Sequence, residues 1–310
     1  MNIIEESNET SIQNSDIIKH IVLSGGGAAG FSIYGVLRES HQSGFWNIKN
    51  IKSIYGTSSG AIISIFICLI RLKYDWVDLD NYIIKRPWEN IFKIDIYSIM
   101  SSFEKIGILN IKSIEEIFIP LFNGIDISMS VTMLDFFKLT DIEIHIFGSE
   151  LNEFIPVDFS YKTHPNWKLI DVVYCSCCLP LLFSPYFLND KIYLDGGIFN
   201  NYPILECIQH VNNPDEIFGI SREHNIPQSN ILTPYNTTLF DYLLKIINNI
   251  IEKIISKNTS DSIKYNMQIT SSHISIYTVY LAANNIEERK RLINSGVQNW
   301  RECIFNPTKY

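Results

Sequence analysis

A serine between two glycines is the residue best placed to do chemistry in this chain of 310 residues. Gly56, Ser58 and Gly60 form the pattern G-x-S-x-G, between a short apolar β-like run at 51–55 and an apolar helical pattern starting at Ala61. A serine on a sharp strand-to-helix turn needs neighbours without side chains, because the chain must fold tightly and leave the hydroxyl exposed. The pattern therefore indicates a nucleophilic serine, although these five positions alone also fit an ordinary Gly/Ser-rich loop.

A second glycine-rich turn offers backbone donors. Residues 25–30, Gly-Gly-Gly-Ala-Ala-Gly, follow a strand pattern at 20–24 and run into a helical pattern. Acyl transfer needs hydrogen-bond donors aimed at the oxyanion of the tetrahedral intermediate. Consecutive glycines at a strand-to-helix junction present N–H groups with no side chain in the way, so Gly25, Gly26 and Gly27 suit that role.

A carboxylate that could accept the serine proton lies in a third turn. Asp195 ends a strand pattern at 191–194 and is followed by Gly196 and Gly197. An unperturbed aspartate has a pKa of about 3.9 and is a poor base at neutral pH. Apolar surroundings raise the pKa of a carboxyl group, and suitable neighbours in sequence are Tyr193, Leu194, Ile198 and Phe199.

A histidine could complete a triad instead of a dyad. His210, His224 and His273 all lie downstream of Asp195, in the Ser, Asp, His order of α/β-hydrolases. None of them lies in a recognisable turn, so the dyad is the favoured interpretation.

The glycine loop also fits a dinucleotide site. Gly25, Gly27 and Gly30 satisfy G-x-G-x-x-G. A Rossmann unit places an acidic residue about 20 positions further on, at the end of the second strand, to hold the ribose. Here that strand is followed by residues 56–58, Gly-Thr-Ser, without a carboxylate. Nucleotide binding is therefore the weaker alternative.

The elements around these turns predict an α/β fold. The order strand, loop, helix, strand, turn, helix over 20–70 implies a parallel sheet covered by helices. We expect a polar, disordered tail at 1–16 and a single domain at 17–310. The region 87–122 is apolar but weakly patterned and favours an outer layer of the core over a flap. Further along the chain, the sequence predicts a helix at 239–257, a last strand at 274–281 and a terminal helix at 286–303. The apolar stripe of the helix at 239–257 is typical of core packing or, less often, of a membrane interface.

Composition excludes several classes of function. The formal net charge of −8 and the pI near 5.4 argue against capture of nucleic acid or of an anionic membrane by charge. Contact with lipid should therefore be apolar and peripheral. The longest apolar stretch, 61–70, is too short to span a bilayer. Residues 1–16 lack the pattern of a secretory signal, so we expect a cytoplasmic protein or one peripheral to intracellular membranes.

Three of the six cysteines, Cys175, Cys177 and Cys178, are clustered. A soft metal site would need a second Cys or His pair at ligand spacing, and none is present. Because free cysteine packs as a small apolar residue, burial is the favoured interpretation and no metal or cofactor is expected.

With these motifs assembled, the chain resembles the patatin-like phospholipase family over about 20–203. The glycine loop, the serine turn, the passage 175–185 and the passage 195–203 follow in the family's order. The resemblance implies a three-layer α/β/α fold with a mostly parallel central sheet. It also implies a calcium-independent serine hydrolase of phospholipids or other lipid esters, with a Ser–Asp dyad and no catalytic histidine.

Carried onto this sequence, the resemblance makes Ser58 the nucleophile, Asp195 its base and residues 25–27 the oxyanion loop. One position departs from the family: many relatives have Arg or Lys just before the last glycine of the loop, where this chain has Ala29. An inactive lipid-binding or scaffolding homologue is therefore the alternative function. Motif support ends near Asn212, and the sequence does not indicate headgroup, acyl position or oligomeric state.

Overall fold

A computed structural model describes residues 17–224, 238–255, 263–271 and 274–305, and the predicted tail at 1–16 lies outside them. Within these ranges the strands are β1 (His20–Leu23), β2 (Ser53–Thr57), β3 (Glu143–Glu150), β4 (Ile155–Phe159), β5 (Tyr186–Leu188), β6 (Lys191–Asp195), β7 (Ile217–His224) and β8 (Tyr265–Ser271). The helices are α1 (Gly30–Gln42), α2 (Ser59–Leu72), α3 (Trp76–Lys85), α4 (Trp88–Ile91), α5 (Ile96–Lys105), α6 (Ile111–Asn123), α7 (Met133–Thr140), α8 (Leu169–Cys177), α9 (Ile204–His210), α10 (Leu239–Ile255), α11 (Ile276–Asn284) and α12 (Ile286–Phe305).

The strands form one mixed sheet. Each strand is hydrogen-bonded to the next in the order β5-β6-β3-β2-β1-β7-β8, and β4 is also paired to β3. The five strands from β3 to β8 in that order are parallel, whereas β4, β5 and β6 are antiparallel to their neighbours. Helices cover both faces. The predicted three-layer α/β/α architecture with a mostly parallel sheet is confirmed.

The two faces of the sheet carry cores of unequal size, as alternation along β1 illustrates. Ile21 and Leu23 belong to the large core shared with the helices, whereas Val22 points to the other face. That second face packs under α9 in a small cluster whose buried members are Val22, Tyr55, Phe147, Ile204, Cys207, Ile217 and Ile263. Side chains that alternate along a strand are thus divided between two separate environments.

Strands β2 and β6 lie along the same edge of β3. Strand β4 pairs with residues 146–150 of β3, which overlap both the stretch 143–147 paired with β2 and the stretch 148–150 paired with β6. Because a strand residue pairs with one neighbouring strand on each side, β2 and β6 must both lie on the edge opposite β4. The two strands therefore follow one another end to end along that edge of β3.

The ends of these two strands meet. Thr57, the last residue of β2, is opposite Phe147, and Asp195, the last residue of β6, is opposite the next residue of β3, Gly148. Ser58 directly follows Thr57. The register of the sheet therefore brings the predicted nucleophile and the predicted base to the same point.

The predicted last strand at 274–281 is wrong. Residues 276–284 form helix α11, and the last strand of the described chain is β8, at 265–271. The run Ile-Tyr-Thr-Val-Tyr-Leu is rich in residues that favour strands. A capping box between Ser275 and Thr278 nevertheless starts a helix there, and the parallel partner of β7 is the alternating segment that precedes it.

The weakly patterned region at 87–122 forms three helices with different surroundings. Residues of α4 and α6 are buried in the large core, as the preference for an outer core layer predicts. Helix α5 differs, because only Ile99 packs against the core, half-buried, and four large apolar side chains are exposed: Ile96, Tyr97, Met100 and Phe103. This region is therefore only partly core.

Helix α10 is confirmed, but its apolar stripe is not simply core packing. Leu244 is buried, whereas Leu239, Ile246 and Ile250 are exposed. None of the helices in the described ranges is both long enough and apolar enough to cross a bilayer. The exposed apolar residues of α10 therefore need another explanation.

Candidate active site

Ser58 occupies a sharp turn between β2 and α2. Its backbone has φ 54° and ψ −121°, a conformation that residues other than glycine rarely adopt. Its N–H donates to the hydroxyl of Ser176 on α8 at 2.8 Å, and that hydroxyl donates to the carbonyl of Phe147 on β3 at 2.6 Å. The strained turn is thus attached to the neighbouring helix and strand, which hold the serine in position.

The two glycines of the turn are required by close approach. A Cβ on Gly56 would lie 2.7 Å from the carbonyl oxygen of Gly60, and a Cβ on Gly60 would lie 2.6 Å from that of Leu23. Backbone atoms cannot move aside as the end of a flexible side chain can. The spacing G-x-S-x-G therefore reflects packing of α2 directly against the end of β1.

Asp195 is buried at the end of β6, with 4% of its surface exposed. Burial raises the pKa of its carboxyl group to about 6, although a hydrogen bond from the Gly197 N–H at 2.7 Å and the nearby Ser58 side chain both act to lower it. Ser149 on β3 donates to the Asp195 carbonyl at 2.9 Å and fixes the backbone. The carboxyl group thus lies at the same cavity wall as the serine and has a raised pKa of about 6.

The glycine loop lies beside Ser58, but its three N–H groups are not equivalent. Gly25 donates to the carbonyl of Asn201 at 2.9 Å, and the Asn201 amide donates back to the Gly25 carbonyl at 3.2 Å. This N–H is therefore occupied, which weakens the expectation that Gly25 is an oxyanion donor. Within the part of the chain that the structure describes, the N–H groups of Gly26 and Gly27 have no protein acceptor. Gly27, with φ 56°, also lines the cavity described below.

A positively charged side chain lies beside the glycine loop, although the loop itself contains no basic residue. Ala29 occupies the position where relatives have a basic residue, and it is buried. The guanidinium of Arg222 on β7 approaches from the neighbouring strand, with Nη1 3.4 Å from the place that a Cβ on Gly26 would occupy. The departure at Ala29 therefore does not leave the site without a nearby positive charge.

Ser58 and Asp195 line a cavity of about 160 Å³. Ser59, next to the candidate nucleophile, also faces it, and among the described residues its buried hydroxyl has no hydrogen-bond partner. Apolar side chains dominate the rest of the wall, among them Phe31, Ile62, Phe66, Trp88, Phe92, Ile114, Leu182, Phe183, Ile274 and Val279. The chamber suits a long apolar group whose reactive end lies at the serine.

Of the three histidine candidates for a triad, the structure describes the side chain of His210 alone, and no described contact joins it to Ser58 or Asp195. His210 lies 3.3 Å from the Tyr55 hydroxyl, among residues of the α9 face of the sheet. The side chain of His224, and His273 entirely, lie outside the described residues. The cysteine cluster behaves as predicted, since Cys175, Cys177 and Cys178 are all buried.

Sequence reasoning missed the residues that hold the turns together. Asn201 links the glycine loop to the segment after Asp195, and the carbonyl of Asn200 accepts a hydrogen bond from Thr57 at 2.8 Å. Ser176 holds the serine turn. All three lie within the passages that carry the family resemblance, but only tertiary contacts reveal what each one does.

Comparisons with known proteins identify the family of the chain. The sequence profile of the family described as "Patatin-like phospholipase" matches residues 21–208, more than half of the chain. The chain is 27% identical over 197 residues to "Probable lipid hydrolase 463L" of Invertebrate iridescent virus 6, covering 63% of this chain and 64% of that protein. It is 24% identical over 313 residues to "Uncharacterized protein R571" of Acanthamoeba polyphaga mimivirus, covering 97% and 98% of the two chains.

A solved structure shares the fold. The crystal structure of VipD from Legionella pneumophila matches with a TM-score of 0.51 and 16% sequence identity, over 92% of this chain and 66% of VipD. The chain thus spans slightly less than two thirds of the lengths of VipD and of the iridescent virus protein. At this identity, the likeness to VipD is one of fold.

Burial of the Asp195 carboxylate should reduce stability at neutral pH. Its folded pKa of about 6 exceeds the ordinary 3.8, so the stability it contributes is fully present below pH 3.8 and is lost as pH rises through 6. We expect the stability of Asp195→Asn relative to wild type to increase by about 2 kcal/mol between pH 4 and pH 8, because the pKa shift is about two units and part of the effect has already occurred at pH 4. Chemical denaturation at both pH values measures this difference.

The exposed Asp190→Asn variant is the matched control, and its stability relative to wild type should change little over the same range. If the gap between Asp195→Asn and wild type stays constant from pH 4 to pH 8, the carboxyl group is not desolvated as described.

Proposed function

Because the chain belongs to the patatin-like phospholipase family, we propose that it is a calcium-independent lipid acyl hydrolase of phospholipase A type. Ser58 is the nucleophile and Asp195 is the base. The observation that carries the proposal is the position of both side chains on the wall of one largely apolar cavity, with Ser58 close enough to Asp195 to act on the pKa of its carboxyl group. An acyl chain would fill that cavity, with its ester carbon at the serine.

The proposed reaction has two halves. In the first, the Ser58 hydroxyl oxygen attacks the ester carbonyl carbon while its proton moves to the Asp195 carboxylate. The N–H groups of Gly26 and Gly27 stabilise the negative charge that develops on the carbonyl oxygen. The intermediate then collapses, the ester C–O bond breaks, and the leaving alcohol takes the proton from Asp195.

The second half releases the acyl group. Water attacks the acyl-serine carbonyl and gives a proton to Asp195. As the second tetrahedral intermediate collapses, the bond between the acyl carbon and the Ser58 oxygen breaks, Asp195 returns the proton to that oxygen, and the fatty acid leaves. Asp195 therefore accepts and returns a proton in each half. Its burial supports this role, because a pKa of about 6 makes it a better base near neutrality than an exposed aspartate.

Removing either group of the dyad should abolish turnover. We expect Ser58→Ala and Asp195→Asn each to lower fatty-acid release by at least about 10³-fold, because each removes a group of the nucleophilic step. The measurement is fatty-acid release from mixed phospholipids and triglycerides, with and without added calcium.

Ser130→Ala, at an exposed turn serine, is the control and should keep full activity. If wild type releases no fatty acid and a fluorophosphonate probe labels no Ser58, the chain is instead an inactive lipid-binding or scaffolding homologue. A variant of His210, His224 or His273 as inactive as Ser58→Ala would replace the dyad with a triad. Thermal stabilisation by NAD or FAD would favour the nucleotide-binding alternative.

The activity of the wild type should depend on pH through Asp195. The carboxylate must be ionised to accept a proton, and its pKa is about 6. Hydrolysis of a soluble ester should therefore be constant above about pH 7 and fall about tenfold per pH unit well below 6. A rate that stays constant down to pH 4.5, measured where circular dichroism shows the protein folded, would exclude Asp195 as the base.

An exposed apolar patch on α5 and α10 supports peripheral contact with a lipid surface. Phe103 of α5 and Phe240 of α10 pack edge to face with centroids 6.4 Å apart, so the two helices are adjacent. The exposed members of the patch are Ile96, Tyr97, Met100, Phe103, Ile106, Leu239, Tyr242, Ile246 and Ile250. Large apolar side chains with this much exposure usually mark an interaction site.

Hydrogen bonds link the two helices of the apolar patch to segments that line the cavity. The Ser184 hydroxyl, one residue after the cavity residue Phe183, donates to the Lys105 carbonyl at the end of α5 at 2.8 Å. Asn248 of α10 donates to the carbonyl of Ile274, another cavity residue, at 3.0 Å. A bilayer bound at the patch would therefore lie near segments that line the cavity.

Charge on the patch should reduce activity on membranes only. We expect the double variant Met100→Glu/Phe103→Glu to lose about tenfold or more in hydrolysis of phosphatidylcholine vesicles, since two exposed apolar anchors become charged. Hydrolysis of a soluble short-chain ester should be unchanged. Because the chain carries net negative charge, binding should not require anionic lipid.

Leu139→Glu is the matched control, an exposed apolar residue on α7, which contributes no residue to the cavity. It should keep both activities. Equal vesicle hydrolysis by the double variant and by Leu139→Glu would exclude the patch as the membrane contact, while leaving the hydrolase proposal intact.

A further inference from the structure

Three side chains of metal-binding type meet on the α9 face of the sheet, apart from the residues of the cavity. His145 comes from β3, Asp158 from β4, and His210 is the last residue of α9. One ligand atom from each lies within 4.8 Å of the others. His145 is buried and His210 is exposed, so the cluster is anchored in the sheet and accessible from solvent.

The ring of His145 is oriented from both sides. Its Nε2 lies 3.1 Å from a Glu143 oxygen, and its Nδ1 lies 2.8 and 3.0 Å from the two oxygens of Asp158. Lys162 pairs with Glu143 at 2.7 Å. Histidines that bind metals usually donate their second ring N–H to a carboxylate in this way, which leaves the other nitrogen to face the ion.

The second imidazole is oriented by a tyrosine. His210 Nδ1 lies 3.3 Å from the Tyr55 hydroxyl, an arrangement that leaves its Nε2 available to a ligand. The Tyr55 ring also stacks on His145, with centroids 4.3 Å apart and planes 3° apart. One residue of β2 therefore positions both histidines.

We propose that His145, Asp158 and His210 bind a divalent transition-metal ion, Zn²⁺, with water as the fourth ligand. Two imidazoles and one carboxylate form a donor set that zinc accepts. Bonds of about 2.0–2.1 Å place tetrahedral ligand atoms about 3.3 Å apart. The separations between His145 and Asp158 need only a small widening, and the exposed His210 can move inward by rotation of its side chain.

Zinc binding would displace a proton and attach helix α9 to the sheet. The ion takes the place of the proton shared by His145 Nδ1 and Asp158, and that proton passes to solvent. Helix α9 follows the segment in which Asn201 bonds to the glycine loop. An ion at the last residue of α9 would therefore fix this segment to the sheet at its far end, which is a structural role rather than a catalytic one.

Zinc titration of the full chain tests this site. Protein treated with a chelator and then dialysed should bind one Zn²⁺ per chain by isothermal titration calorimetry, and zinc should raise its melting temperature. His210→Ala and Asp158→Asn should abolish this binding, and Glu143→Gln, which removes the orienting carboxylate, should weaken it by about 10- to 100-fold. Co²⁺ should give a visible absorption band that Zn²⁺ removes.

His164→Gln is the matched control, because His164 follows β4 but contributes no atom to the cluster. It should bind zinc as wild type does. His210 is exposed, so its variant should fold. If wild type binds no zinc, or if His210→Ala binds it unchanged, the proposal is wrong and the cluster is an ion-pair group joining β3 to β4. Neither outcome bears on the hydrolase proposal, which is tested by fatty-acid release.

Discussion

The end-to-end meeting of β2 and β6 along one edge of β3 is the constraint on which the rest of the site depends. It places Ser58 and Asp195 together although 137 positions separate them. It also leaves no room where the strands meet: a Cβ on Gly196 would lie 2.0 Å from the carbonyl oxygen of Phe147. The glycine after the aspartate is therefore as much a consequence of the sheet register as the two glycines of the serine turn.

Burial of the aspartate links chemistry to stability. Removing a carboxylate from water disfavours its charged form, which raises the pKa of Asp195 toward the range where it can exchange protons with a serine. The same desolvation makes the ionised site less stable than a neutral one. The hydrogen bond from the Gly197 N–H and the nearby Ser58 side chain offset only part of this cost. The burial that accompanies this apolar cavity thus also raises the pKa of the Asp195 carboxyl group on its wall.

Local motifs were predictable from the sequence, whereas contacts between residues far apart in the sequence were not. The serine turn, the glycine loop and the Asp195 turn each obey a steric rule that acts over a few residues, so their spacing is visible in the chain. The α11 segment was misassigned because a capping box outweighed strand-forming side chains. The contacts of Ser176 and Asn201 depend on sheet order, and so does the cluster formed by His145, Asp158 and His210.

The glycine loop extends this point to electrostatics. Judged by its sequence, the loop lacks a cation because position 29 is alanine. In the fold, β7 lies parallel to β1 with Ile220 opposite Leu23, and two residues further along β7 the side chain of Arg222 reaches the loop at Gly26. The energy of a developing oxyanion depends on how far away a positive charge stands, whichever strand supplies it. The charge around this loop is therefore a property of the order of strands in the sheet, and a motif comparison confined to the loop would miss it.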